Sequence, residues 1–487
     1  MVFSSYQFLL LFLPFTLMGF YSLRHFGQRN HSVTFLLFAS AIFYSVWNIW
    51  HFSLLAASII VNYAIGIALL QSKNKALRKA LIYTGVIGNL SLIFWFKYLD
   101  FTLSNIAAFT GTTHTFYNLI LPLGISFFTF QQIAYLVDCY QTSSAERRLR
   151  DYALFVSFFP QLIAGPIVHH GVTRPQFQKI ARDEIDLNGV ATGLLIFALG
   201  LGKKVLIADP IARAIAPIFE AASAGETFSL AMSAFVTIGY TLQIYFDFSG
   251  YCDMAIGLGL MFGIRLPVNF NSPYKSKSII EFWRRWHITL SNFLRDYVYI
   301  PLGGNRRGEF FRLRNIFLTM LIGGVWHGAA WTFIIWGAIH ASLITANHAA
   351  RIWWPALDQM NGRFASIIKQ TFLLVSIMIA WIYFRADTLG AANSIIAGFT
   401  SLSGPEQTFD PFILILMGVA SLMALFAPSA LEITGYIKTS AKEGIISFSN
   451  KVAHLARGPV GAFATALLLT AGIAVAWRPA IFIYYNF

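Results

Sequence analysis

Apolar runs recur along the whole chain, near residues 6–22, 33–48, 51–71, 80–98, 117–137, 189–208, 228–248, 314–345, 366–384, 411–427 and 461–478. A helix needs ~20 mostly apolar residues to cross ~30 Å of hydrocarbon, so each run reads as a membrane span. Composition agrees, because 57% of the 487 residues are hydrophobic and only 11% are charged, against roughly 25% charged in soluble domains. So few charges cannot cover the surface of a water-soluble protein of this length, and lipid must face much of it. The expected fold is all-α: a polytopic transmembrane helical bundle of about eleven spans, with re-entrant or short helices near 151–168, 250–263 and 286–302.

Loop charges give the orientation. Arg24 and Arg29 follow the first run, Lys73, Lys75, Arg78 and Lys79 the third, and Arg147, Arg148 and Arg150 the fifth. The loop at 101–116 carries no charged residue. Basic loops stay in the cytoplasm, which puts the N-terminus on the extracytoplasmic side. The net charge of +14 thus belongs to short loops that meet anionic headgroups. No basic stretch is long enough to form a folded reader outside the membrane, so lipids and not nucleic acid are the expected partners. Cys139 and Cys252 form neither a disulfide framework nor a metal-ligand spacing, and no metal is expected. The opening MVFSSYQFLLLFLPF lacks a positive n-region and a small-residue cleavage site, and reads as an uncleaved first span.

The segment 151–168 conflicts with simple alternation, because Arg150 precedes it and Arg174, Lys179 and Arg182 follow it. Pro160 and Gly165-Pro166 also break it. Non-helical backbone survives at membrane depth only inside protein or along a water-filled cavity. A re-entrant, cavity-lining element is therefore expected, with a Pro-kinked ordinary span as the alternative. No fixed-period repeat or low-complexity tract divides the chain, and residues 1–487 read as a single membrane domain. Within it, 401–411 is expected as an extracytoplasmic loop and 435–460 as an amphipathic cytoplasmic connection.

Chemistry concentrates between 247 and 345. Asp247 and Asp253 lie beside apolar runs, where carboxylates are costly and functional by default. A hydrogen-bonded knot at helix ends, capped by Asp247 and Ser249, is the preferred reading here. From Arg265 to Arg314, ten Lys and Arg stand against three acids, a net of +7, and aromatics such as Tyr274, Phe282 and Tyr297 are interleaved. Such a belt suits an anionic lipid surface or a polyphosphorylated nucleotide such as coenzyme A; charge and aromatics alone do not separate the two.

Asn315 to Ala350 then runs for thirty-six residues without one Asp, Glu, Lys or Arg, and holds GGVWHGAAW with His327. A regular helix from Arg314 puts His327 ~20 Å past the cytoplasmic edge. A neutral imidazole at that depth could take the proton from an attacking hydroxyl; a hydrogen-bonding His between packed helices is the alternative. His340, thirteen residues on, falls ~220° around a regular helix and should not share a face with His327. His287, in WRRWH at the membrane edge, fits snorkelling or binding better than chemistry. His169 and His170 lack any HExxH context, and no GxxxxGK[ST] is present.

The runs YFDFSGYCDMAIGLGLMFGIRLPVNFNSPY, EFWRRWHITLSNFLRDYVYIPLGGNR and NIFLTMLIGGVWHGAAWTFIIWGAIH, in that order, resemble the membrane-bound O-acyltransferase (MBOAT) family. The closest likeness is to its bacterial branch that O-acetylates alginate, and LPLGISFFTFQQIAYLVDCY and FFPQLIAGPIV match that branch too. The resemblance is dense from residue 1 to about 345, with the core motifs in 117–345, and looser through the peripheral spans of 366–487. It implies a helical bundle around a tunnel, acetyl-CoA as acyl donor from the cytosol, and no permanently bound cofactor. It implies His327 of the WHG motif as the catalytic general base. The family's second polar position matches His287, to position donor or acceptor. Trp283, Arg284, Arg285, Trp286, Arg295 and Trp326 become candidates for binding CoA or substrate. Further implied are an extracytoplasmic polysaccharide acceptor, alginate-like exopolysaccharide first, and the bacterial inner membrane as location. A periplasmic acetyltransferase or esterase-like partner protein is expected as well, since no such domain is fused here. Rival readings are D-alanyl or other acyl transfer to a cell-envelope polymer, and a transporter or flippase of sugar-linked lipids. The last should show an ion-coupling carboxylate or paired repeats.

Overall fold

The structure, a computed structural model, describes residues 1–27, 29–180, 184, 186–354, 362–402, 408–437 and 458–475. Among them all regular structure is helical. Gln7–His25, Ile49–Gln71, Lys75–Thr110, Leu187–Ser223 and Arg363–Arg385 are each long and apolar enough to cross a membrane. Leu389–Gly398, Pro411–Phe426 and Pro459–Val475 are shorter apolar helices. The connection expected at 435–460 lies largely outside the described residues, as do Arg182 and the middle of the 401–411 loop. The described chain divides into two compact units, one of residues 1–198, 251–267 and 469–475, the other of 199–250 and 268–468.

In the first unit, polar side chains inside the protein pair from helix to helix. Asn62 and Asn89 exchange amide hydrogen bonds at 3.3 and 2.6 Å, and Gln132 Nε2 donates to Ser58 Oγ at 2.9 Å. Such pairs remove polar atoms from an environment with no water to bind them. Asn89 begins an Asn-Leu-Ser triplet that resembles a glycosylation acceptor, but it is buried. The run expected at 117–137 becomes helical only over Ile125–Thr142. Pro122 disfavours helix just before it, and Gly124 takes a φ of 72°, where a Cβ would stand 2.7 Å from Leu162 O.

The segment 151–168 is broken where its prolines and glycine require. Leu149–Ser157 ends at Phe158, Pro160 sits in the first turn of Phe159–Leu162, and the chain leaves helical geometry before Gly165-Pro166. Apart from half-buried Ala153, every residue of this stretch is buried. Just before it, Glu146 ties the loop down. Its Oε1 accepts from the amides of Arg147 and Arg148 at 2.9 and 3.2 Å. Its Oε2 lies 3.3 Å from His170 Nε2 and 3.0 Å from Arg174 Nε.

Burial alone would raise the Glu146 carboxyl, yet these donors and the Arg174 charge together hold it below its ordinary value of 4.5. A depressed carboxyl stabilises the fold fully above the unfolded pKa, and that stability is lost as pH falls through the lower native value. We therefore expect Glu146→Gln to lower the unfolding temperature of the solubilised protein near neutral pH. The gap to wild type should close as pH drops below about 4, and a gap independent of pH would contradict this account.

The run Asp247–Asp253 does not mark helix ends, contrary to expectation. It lies within one continuous helix, Leu230–Met261. The Asp-Phe-Ser-Gly pattern imitates a cap, but a tertiary partner satisfies Asp247. Lys204 Nζ stands 2.8 Å from Asp247 Oδ1 and 2.8 Å from Asp209 Oδ1, with all three side chains at most 4% exposed. Lys204 sits on a π turn, Lys203–Ala208, in the middle of Leu187–Ser223. Charges this deep persist only when paired.

The run expected as one span at 314–345 is also two elements. Glu309–His327 stops at Gly328, which is extended, and Trp331–Trp353 starts after Ala330 and packs back along it. The two backbones touch at glycines: a Cβ on Gly324 would lie 2.7 Å from Gly337 Cα and 2.6 Å from Phe333 O. Gly324→Val is accordingly expected to destabilise the protein by about 1–3 kcal/mol, read as a lower unfolding temperature in detergent. Gly88→Ala, whose Cβ would meet nothing within 4 Å, should leave that temperature unchanged or slightly raised. Equal behaviour of the two variants would contradict close packing at Gly324.

Candidate active site

His327 is the last residue of Glu309–His327 and is 3% exposed. Its ring is enclosed by aromatic side chains from three elements of the second unit. Ring centroids lie 4.9 Å away for Trp326, 4.9 Å for Trp336 and 5.1 Å for Phe384. His287 approaches to 6.5 Å. The helical hairpin supplies His327 and Trp336, Arg363–Arg385 supplies Phe384, and the short helices of 279–294 supply His287.

His287 does not snorkel toward solvent, for it is fully buried. It caps Ile288–Leu294 with a φ of 42° and ψ of 51°, a left-handed conformation that is uncommon outside glycine. Asn269 holds it there. Asn269 Oδ1 accepts from the Thr289 amide at 3.2 Å and the Thr289 hydroxyl at 2.9 Å, and lies 3.2 Å from His287 Nδ1. An oxygen that already accepts can only accept again, so His287 donates through Nδ1 and its basic nitrogen is Nε2. Phe248 packs edge-on against the ring at 4.8 Å.

The remaining candidates separate into two groups. Trp326 and Trp283 belong to the His327 surroundings. Trp283 Nε1 donates to His340 Nδ1 at 3.3 Å, and its ring lies 5.9 Å from Trp336. Trp286 packs against Phe270, Phe282 and Trp381 at 4.9, 5.5 and 4.9 Å, so it anchors the core beside the site. The arginines lie apart from His327. Arg284 and Arg295 are exposed. Arg295 chelates its neighbour Asp296 at 2.7 and 3.0 Å, and Arg285 pairs with Glu281 at 2.9 Å.

His340 comes close to His327 after all. The expectation of separate faces assumed one regular helix, whereas the turn at Gly328–Ala330 places the two on antiparallel partners. Trp336 lies between them, 4.9 Å from His327 and 4.8 Å from His340. Sequence reasoning also missed Asn269, Trp336 and Phe384. The signal for Trp336 and His340 was the length of the charge-free run, too long for one crossing; none marked Asn269 or Phe384. Among the described residues no group of three His, Cys, Asp or Glu is arranged to hold a metal.

The family described as "MBOAT, membrane-bound O-acyltransferase family" matches residues 147–385. That range contains His287, His327 and their surroundings. The chain is 41% identical over 430 residues to a peptidoglycan O-acetyltransferase of Helicobacter pylori, covering 83% of this chain and 80% of the relative. It is 41% identical over 406 residues to a probable alginate O-acetylase of Pseudomonas aeruginosa, covering 80% and 73%. A teichoic acid D-alanyltransferase of Bacillus subtilis is 32% identical over 248 residues, covering 49% of this chain and 62% of the relative.

Asn269→Leu keeps the side-chain size but removes the acceptor shared by three buried donors. Leaving buried donors unpaired costs about 1–3 kcal/mol each, so the variant should unfold at a clearly lower temperature than wild type. Thr289→Val, which removes only the hydroxyl, should cost less. The reverse order would contradict Asn269 as the anchor of His287.

Proposed function

The chain belongs to the membrane-bound O-acyltransferase family, and from that premise we propose that His327 is the general base of its acyl transfer. It is a multi-pass membrane O-acyltransferase. The donor in this reading is cytosolic acetyl-CoA, and the acceptor is a hydroxyl of an extracytoplasmic cell-envelope polysaccharide. The observation that carries it is the burial of His327 at the closed end of a helical hairpin, enclosed by aromatics and next to His287.

His327 takes the proton of the acceptor hydroxyl, and the oxygen attacks the thioester carbonyl. The C–O bond forms as the C–S bond breaks, and the imidazolium returns its proton to the leaving thiolate, giving the free thiol. No net proton is consumed, so one imidazole suffices as base and then acid. Aromatic walls keep competing water from the thioester.

Several observations support the direction and the substrates. Arg312 and Arg314 lie near the start of the helix that ends at His327, and the positive-inside rule puts that start in the cytoplasm. The donor then arrives from the cytosol, the N-terminus lies outside, and the protein resides in the bacterial inner membrane. The acetylating relatives match 80–83% of the chain and the D-alanylating one 49%, which favours acetyl over D-alanyl. The activities these relatives are named for favour peptidoglycan or alginate as acceptor class. A periplasmic transferase is the expected partner in the final step.

Membranes supplied with radiolabelled acetyl-CoA test this reading. Wild type should transfer label to polymer or partner protein, and His327→Ala at matched expression should lose at least about 10²-fold in rate. Equal transfer by the two would reject His327 as base.

A further inference from the structure

Thr332, Trp336 and His340 follow one another at intervals of four on Trp331–Trp353 and so share one face of that helix. They are 1%, 1% and 0% exposed. Thr332 Oγ1, Trp336 Nε1 and His340 Nε2 have no hydrogen-bond partner among the described residues. Buried polar atoms are nearly always paired, and an unpaired one calls for a water or ligand to receive it. Three such atoms in register, spread over ~12 Å of helix, describe a row.

The chemistry of the row is defined by Trp283. Its indole N–H donates to His340 Nδ1 at 3.3 Å, so that nitrogen carries no proton and the neutral ring carries its proton on Nε2. His340 therefore offers a donor, and the indole nitrogen of Trp336 is a donor only. The row presents two N–H groups and a hydroxyl without a carboxylate, which suits carbonyl oxygens. One end lies beside His327, because Trp336 stacks edge-on to it at 4.9 Å. Two turns beyond His340, and about 80° further round the helix, stands His348, within electrostatic reach of Arg312, Arg351 and Arg284 and also of Glu309. From Thr332 to His348 is ~24 Å along the axis.

We propose that this row seats the carbonyl oxygens of an amide-bearing thioester arm, and that His340 is a donor-positioning residue locked in its Nε2–H tautomer by Trp283. The proposal rests on the acyl-transfer reading above and adds the residues that align the donor. Thr332 and Trp336 complete the row.

Acetyl transfer by membranes is titrated with acetyl-CoA for wild type, His340→Leu, His340→Gln and Trp283→Phe. His340→Leu should raise KM for acetyl-CoA about tenfold, the equivalent of one hydrogen bond at 1.4 kcal/mol per factor of ten, with kcat within about threefold. His340→Gln, which keeps an N–H, should recover most of that affinity. Trp283→Phe, which releases the tautomer, should raise KM by less than His340→Leu. Thr332→Val, close to isosteric, reports on the row even if the leucine variant fails to fold, and should also raise KM. A folded His340→Leu or Thr332→Val enzyme with wild-type KM would overturn the proposal and show that the row binds only water. Loss of kcat in both His340 variants with KM unchanged would show a packing role and would overturn it as well. His327→Ala separates the two readings: it should abolish transfer at every donor concentration, and if it does not, the acyl-transfer reading itself fails.

Discussion

Much of the second unit depends on two glycines. Gly324 and Gly337 let the backbones of Glu309–His327 and Trp331–Trp353 touch, at distances a single methyl group would make impossible. Dispersion between closely packed backbones is what holds helices together where lipid removes any hydrophobic difference. The contact sits one turn before His327 and next to Trp336 in sequence, so the closest approach of the helices and the candidate base are one structure. The extended turn at Gly328 then brings Phe333 back over it; a Cβ there would fall 2.0 Å from the Phe333 ring.

Several buried polar groups elsewhere in the protein are paired in the way a membrane demands. Asn62 and Asn89 satisfy each other, Lys204 neutralises two aspartates, and Glu146 collects backbone amides and cations. Each of these groups is expensive alone and inexpensive in company. Other buried polar atoms, such as Thr129 Oγ1 and Tyr240 OH, also lack a hydrogen-bond partner among the described residues; the row of Thr332, Trp336 and His340 differs in that its three atoms recur at intervals of four on one helix.

The helical fold and the burial of His327 were legible in the sequence, because apolar run length and an imidazole deep in a charge-free stretch are local signals. The hairpin was legible too, though only by arithmetic: thirty-two residues of regular helix at 314–345 would reach ~48 Å, well beyond ~30 Å of hydrocarbon. Reading it as one span placed His340 on the wrong face. Asp247 misled for a related reason, since its Asp-x-Ser pattern imitates a cap while Lys204, 43 positions earlier, satisfies it from another helix. The basic belt was visible as charge, but much of that charge is answered locally: Arg285 pairs with Glu281, Arg295 with Asp296 and Arg312 with Glu309. No local pattern could have named Asn269 or Phe384, whose roles arise from tertiary packing.

Two histidines near His327 are held in opposite tautomers by different neighbours. Asn269 fixes the His287 proton on Nδ1 and makes its Nε2 basic; Trp283 fixes the His340 proton on Nε2 and makes that nitrogen a donor. The two rings near His327 therefore differ: His287 offers an acceptor nitrogen and His340 a donor. In the proposed reaction, a hydroxyl that gives up a proton suits the former and a carbonyl that only accepts suits the latter. An acyl transfer needs these two groups to arrive in a fixed mutual orientation, and much of the barrier is orientational. Locking the tautomers before either substrate binds removes a rearrangement that would otherwise accompany each turnover. The same logic explains why His287 tolerates a left-handed backbone: the strain fixes the direction of the ring, and Asn269 and Thr289 over-determine it.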